Sequence, residues 1–153
     1  MNKTNYHKMI QKNNCMDSSI IEDLDKIIEL DPEPLDAYVA RAALRRQNGD
    51  LRGALEDFDM IVELEDEPLD AYITRAEIKE QMGDLRGAIK DLDVLEEYHP
   101  EYVNVYFARV ELKKRTGNLR GALEDLDMII EANPEDVRAY KERLAIKMMI
   151  TKE

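Results

Sequence analysis

The side chains that most often carry chemistry are sparse in this sequence. It holds two histidines, His7 and His99, and one cysteine, Cys15. The histidines stand far apart and neither lies near Cys15, so no nucleophile and base are paired by their spacing. His99 precedes Pro100 and reads as a loop residue, while Cys15 reads as a small, partly buried residue rather than a reactive thiol. A lone cysteine excludes an intramolecular disulfide and a cysteine-rich metal site, and fits a reducing compartment. Acidic neighbours such as Glu56-Asp57 and Glu96-Glu97 abound. Adjacent residues on a helix point apart, so these read as solvated faces rather than acid–base pairs. The segment GDLRGA has glycines but lacks the Lys-Ser/Thr of a phosphate loop and follows no strand. The expectation is a protein that is not an enzyme and holds no cofactor and no metal.

One charge pattern is ordered. Arg41, Arg75 and Arg109 recur at an interval of 34 residues, and Asp57, Asp91 and Asp125 recur at the same interval. Each arginine sits beside a small residue, Ala42, Ala76 or Val110. A guanidinium next to a tightly packed position is partly buried and needs a carboxylate. The spacing therefore predicts a ladder of structural ion pairs.

The elements that position this ladder follow from the same period. GDLRGA at 49–54 and 83–88 and GNLRGA at 117–122 lie 34 residues apart, and the surrounding units 35–68, 69–102 and 103–136 align without a gap. A fixed period of this length marks a solenoid, in which each unit stacks on its neighbours. Each unit reads as two helices. The first carries Tyr38, Ala42 and Leu44, then Tyr72, Ala76 and Ile78, then Tyr106, Val110 and Leu112, a helical apolar face. The second carries Ala54, Leu55, Phe58, Ile61 and Val62, with Ala88, Ile89, Leu92 and Leu95, and Ala122, Leu123, Leu126, Ile129 and Ile130, at the same kind of spacing. Between them, Gly49, Gly83 and Gly117 suit the left-handed residue that ends a helix, and Asp50, Asp84 and Asn118 suit the cap of the next.

These units resemble tetratricopeptide repeats. The marks are Tyr38, Ala42, Gly49-Asp50 and Ala54; Tyr72, Ala76, Gly83-Asp84, Ala88 and Pro100; and Tyr106, Val110, Gly117-Asn118, Ala122 and Pro134. Asp66 replaces the closing proline, and Arg45, Lys79 and Lys113 stand where the family usually has an aromatic, which predicts basic groove edges. The resemblance implies an all-α, right-handed α-solenoid of antiparallel helix pairs spanning 1–153. Residues 1–34 form a degenerate first repeat and 137–153 a capping helix. Residues 15–34 align with the second half of a unit but lack the Gly-Asp elbow, and residues 1–14 are expected to be frayed or partly helical, with Cys15 at a degenerate elbow.

The resemblance also implies a concave face lined by the first helix of each unit. Its register places Val39 and Ala43, then Ile73, Thr74 and Glu77, then Phe107, Ala108, Glu111 and Lys114 in a protein-binding groove, with Val39, Ile73 and Phe107 as an apolar stripe. A subset of the family grips chaperone C-terminal carboxylates with Lys, Asn and Arg. The corresponding positions here, Val39, Ala43, Thr74, Asn104 and Ala108, do not provide that clamp in this register. The implied function is a scaffold that binds a segment of an unidentified protein partner in its groove. The alternative is self-association through incomplete solenoid ends, burying Met148, Met149 and Ile150 or the exposed face of the first unit.

Composition bounds the rest. The formal net charge is −12, which disfavours a nucleic-acid backbone as partner, since that requires a basic stripe. The first residues are polar, unlike a signal peptide, and no apolar run approaches the roughly 20 residues that span a bilayer. The expectation is a cytoplasmic protein with no membrane partner.

Overall fold

The apolar residues repeat with helical period, and the chain answers with helices. The computed structural model describes residues 3–98 and 102–151, with side chains described for 17–96 and 102–151. Among these residues there are eight α-helices and no strand: α1 (Lys3–Leu30), α2 (Leu35–Gln47), α3 (Leu51–Leu64), α4 (Leu69–Gln81), α5 (Leu85–Tyr98), α6 (Val103–Arg115), α7 (Leu119–Ala132) and α8 (Val137–Ile150). The chain divides into two compact units, Met1–Ala71 and Tyr72–Glu153.

In the first unit α2 pairs with α3, and α1 packs on α2. Ala42, Ile61 and Ala71 are buried, with Leu35, Tyr38, Phe58 and Val62 packed around them. In the second unit α6 packs on both α5 and α7, and α7 on α8. Its core joins Tyr106, Val110, Ala122, Leu126, Ile129, Ala139 and Ile146. Small residues stand where paired helices approach. Ala42 and Ala54, Ala76 and Ala88, and Val110 and Ala122 are all buried. Each fully buried leucine or isoleucine of these cores contributes about 1.5–3 kcal/mol.

The repeated phrase is the elbow of each pair, and both of its glycines have a physical cause. Gly49, Gly83 and Gly117 have φ of 80°, 85° and 77°. The glycine N–H of the first elbow donates to Arg46 O at 3.1 Å, and Asp50 N donates to Arg45 O at 2.8 Å, closing the end of α2. Asp50 then accepts from Gly53 N at 2.9 Å, and Asp84 and Asn118 repeat that cap on Gly87 N and Gly121 N. The second glycine leaves room for the capping carboxylate. A Cβ at Gly53 or Gly87 would run into the Oδ2 of Asp50 or Asp84.

The N-terminal segment departs from expectation. Residues 15–30 do form a helix in register with α3, α5 and α7, but it is continuous with residues 3–14 as one helix of 28 residues. There is no elbow at Asn14-Cys15. The segment NNCMDSS has neither a glycine to take positive φ nor a proline to stop the helix, so nothing ends it there. The side chains of His7 and Cys15, and all of His99, lie outside the described residues.

Candidate functional site

The predicted ladder is present, and it is denser than one pair per unit. Arg41 donates from Nε and Nη2 to the Asp57 carboxylate at 3.1 and 2.6 Å, across 16 residues. Arg75 binds Asp91 the same way at 3.0 and 2.7 Å, and Arg109 binds Asp125 at 3.0 and 2.5 Å. Beneath each guanidinium lies the tyrosine one helical turn earlier. Tyr38, Tyr72 and Tyr106 have ring centroids 5.3, 5.1 and 5.3 Å from the arginine carbon.

Each buried aspartate also accepts from a second cation. Arg45 reaches Asp57 at 2.9 Å, Lys79 reaches Asp91 at 2.7 Å and Lys113 reaches Asp125 at 2.9 Å. This corrects the expectation that Arg45, Lys79 and Lys113 make the groove edges basic. They turn into the helix pair because a buried carboxylate with two oxygens has room for more donors than one guanidinium fills. Arg45 and Lys113 also donate to the carbonyls of Gly53 and Gly121, at 3.1 and 3.4 Å, and so tie the elbow glycine to the ladder.

The arginines have further partners that the sequence reading missed. Arg41 reaches back to Asp25 of α1 at 2.5 Å, Arg109 to Asp93 of α5 at 2.8 Å, and Arg143 to Asp127 of α7 at 2.7 Å. All three lie 16 residues before their arginine, mirroring the 16 residues to the aspartate ahead. That symmetry was available in the sequence, since Asp25, Asp59, Asp93 and Asp127 also recur at 34 residues. Arg109 also binds Glu96 and is only 2% exposed. Burial opposes its charge and is the largest single influence. The hydrogen bonds to Asp125 and Glu96 outweigh it, so Arg109 is held above the ordinary arginine value.

The donors and acceptors of the ladder are satisfied within the helix pairs, away from the first-helix face where the sequence places the groove. The residues expected to line the groove in the second unit lie on α4 and α6. Ile73 and Thr74 are half-buried, Glu77 exposed, Phe107 half-buried, Ala108 and Glu111 exposed, and Lys114 half-buried. An ion pair from Arg115 to Glu80 joins the last turns of α6 and α4. Lys114 binds Glu111 at 2.9 Å and Glu142 of α8 at 3.2 Å. Its hydrogen bond to Glu111 is the largest influence on its charge, partial burial opposes it, and Glu142 adds to it, so Lys114 is raised above its ordinary value.

Phe107 is not a simple water-facing stripe residue. It packs against the core cluster of α6, α7 and α8, and the Arg138 guanidinium lies 4.0 Å from its ring centroid. In the first unit Val39 is 47% exposed and Ala43 is exposed. Arg138 and Glu142 were not among the expected groove residues. They occupy the register of Asn104 and Ala108 one unit later, so extending the period into α8 would have found them.

Among the described residues no group of three His, Cys, Asp or Glu side chains could hold a metal ion, and no helix is long and apolar enough to cross a membrane.

This arrangement has relatives among solved structures. A tetratricopeptide repeat protein from Parabacteroides merdae ATCC 43184 superposes with a TM-score of 0.73 at 21% identity, over 96% of this chain and 60% of that chain. The chain folds as a tetratricopeptide-repeat α-solenoid. MamA matches with a TM-score of 0.70 at 17% identity, over 92% of this chain and 82% of its own. The first such domain of Spaghetti (RPAP3), bound to the HSP90 peptide SRMEEVD, matches with a TM-score of 0.60 at 14% identity, over 76% of this chain and 95% of its own. No protein-family model and no curated protein matches the sequence.

Proposed function

We propose that this tetratricopeptide-repeat chain is a protein-interaction scaffold, and that its first-helix face receives an extended or helical segment of a partner protein. The observation that carries the reading is Phe107, a half-buried aromatic on that face with Arg138 stacked 4.0 Å from its ring. An aromatic that packs against a core and is half exposed is the kind of anchor on which binding energy concentrates. At the matching register of α4, Ile73 and Thr74 would offer apolar and hydroxyl contact, while Glu77, Glu111 and Lys114 would select the partner's charge pattern. Val39, exposed on α2 beside Ala43, offers the same register position in the first unit. The peptide-bound RPAP3 domain supports a peptide as ligand, although the carboxylate clamp positions here are Val39, Ala43, Thr74, Asn104 and Ala108.

The test is selection of a random peptide library on the wild-type protein, with Ala108→Arg as comparison. Ala108 is exposed, so the arginine should leave the helices intact while obstructing the face. Peptides that bind wild type and lose at least about tenfold in affinity on the variant, about 1.4 kcal/mol, support the reading. Peptides retained equally by both would refute it.

A second reading, self-association through the incomplete ends, is favoured by one specific observation. Leu144, Met148, Met149 and Ile150 of α8 are all exposed.

A further inference from the structure

Among the described residues α8 stands as the first half of a helix pair with no second half against it. α8 repeats α6 in register: Val137, Tyr140 and Leu144 match Val103, Tyr106 and Val110. In α6 these positions are covered by α7, and Tyr106 is 3% exposed. In α8, Tyr140 is 42% and Leu144 61% exposed, and with Val137 and Met148 they make one uncovered stripe. Arg143 stacks on Tyr140 and binds Asp127 behind it, in the manner of Arg109 with Tyr106 and Asp93. The elbow position held by Gly117 at φ 77° is Thr151, at φ −79°, so the left-handed residue that turns the other units is absent at that place.

The first helix has the opposite half. From Asp17 to Leu30, α1 repeats α7 in register, with Asp23 at the place of Asp125 and Ile27 at that of Ile129. Asp125 and Ile129 are buried, whereas Asp23, Ile20 and Ile27 are exposed along one face. Ile27 and Leu30 line a shallow hollow with Lys26 and Asp31. Charge matches as well as shape. α8 carries Arg138, Lys141, Arg143 and Lys147 against the single acid Glu142, and this part of α1 carries Asp17, Glu22, Asp23, Asp25 and Glu29 against the single base Lys26.

We propose that α8 of one copy receives α1 of a second copy, head to tail, so that two incomplete halves make one helix pair. This deepens the self-association reading and is independent of the groove. Tyr140, Leu144 and Val137 pack on Ile20 and Ile27 of the neighbouring copy. Arg143 and Lys147 converge on its Asp23, as Arg109 and Lys113 converge on Asp125 within the chain. The contact is not a duplicate of an internal pair. Leu144 and Ile20 stand where internal pairs have Val110 and Ala122, so the helices are held further apart and the contact is separable. Because the two surfaces differ, the contact is heterologous, and each copy that joins presents its own uncovered face to the next.

The experiment is mass measurement by light scattering and sedimentation, from about 1 µM to about 300 µM, the range in which micromolar contacts populate. Wild type should rise with concentration past the mass of a dimer. Ile27→Glu blocks only the α1 face and Leu144→Glu only the α8 face, both at exposed positions, and circular dichroism should show unchanged helix. Each variant alone should stay monomeric. An equimolar mixture should form a heterodimer and nothing larger, since one intact α8 meets one intact α1. Ile20→Glu with Val137→Glu provides a second pair should either variant fail to fold.

A wild type that stays monomeric throughout overturns self-association altogether. If wild type associates but Ile27→Glu associates as strongly, or the mixture stays monomeric, self-association stands and this pairing is overturned. Loss of association in Ala108→Arg, with none in Ile27→Glu, would place the contact on the groove face instead.

Discussion

Replacing Asp125 by asparagine tests whether the ladder holds the helix pairs together or only decorates them. Asp125 accepts from Arg109 Nε and Nη2 and from Lys113 Nζ, and it is buried together with Arg109. Asparagine keeps the shape but has one accepting oxygen and no charge. Placed to accept from Arg109 Nη2 and Lys113 Nζ, it turns its amide N–H toward Arg109 Nε, so one bond is lost and the other two lose their charge assistance. Removing one partner from a buried pair costs about 3–5 kcal/mol, because the remaining charge is left uncompensated. Arg109 keeps Asp93 and Glu96, both partly solvated, so the lower end applies, about 3 kcal/mol. With a urea slope of about 2 kcal/mol per molar, the unfolding midpoint followed by circular dichroism should fall by about 1.5 M.

The internal control is Asp127→Asn. Asp127 pairs with Arg143 at 2.7 Å but is 62% exposed on its side chain, so its loss should cost no more than about 1 kcal/mol. Equal costs at Asp125 and Asp127 would refute the argument that burial sets the strength of the ladder. Replacing both Arg109 and Asp125 by apolar residues should recover much of the loss, since a buried pair exchanged for packed hydrocarbon is often nearly neutral.

Gly83→Val should cost more than the roughly 1 kcal/mol of an ordinary propensity change, because φ is 85° there, and an unchanged melting temperature would refute this account of the elbow. Gly87→Ala should change stability little, because the roughly 1 kcal/mol that alanine gains over glycine in a helix is offset by about 1 kcal/mol lost when the added Cβ displaces the Asp84 carboxylate from its cap. On an Asp84→Gly background the same substitution should stabilise, and equal effects on both backgrounds would refute the clash. Lys114 has a folded value raised above 10.5, so its contribution is fully present below that value and is lost as pH rises through the folded one. Wild type should exceed Lys114→Gln in stability by up to about 1 kcal/mol at pH 7, and the gap should close only in strongly alkaline solution; a gap that closes near neutrality would contradict this.

The period of the sequence determined the helices, their elbows and the pairing of Arg41, Arg75 and Arg109 with Asp57, Asp91 and Asp125. These are local or regularly spaced relations, so a repeated string carries them. Left-handed glycine, a capping side chain and a small residue at a close approach leave a mark at one position each. What only the tertiary structure decided depends on which helix lies beside which. Arg45, Lys79 and Lys113 look like surface charges in a helical pattern, and they turn inward because a buried carboxylate waits across the pair. Phe107 reads as a groove residue by register, yet α8 brings Arg138 over its ring. Residues 3–30 read as a broken unit, but no residue at 14 or 15 forces a break, and the helix continues. The exposed faces of α1 and α8 follow the same rule, since their residues match buried counterparts in α7 and α6. Burial belongs to the neighbour that covers a side chain, and a sequence pattern names the side chain without naming the neighbour.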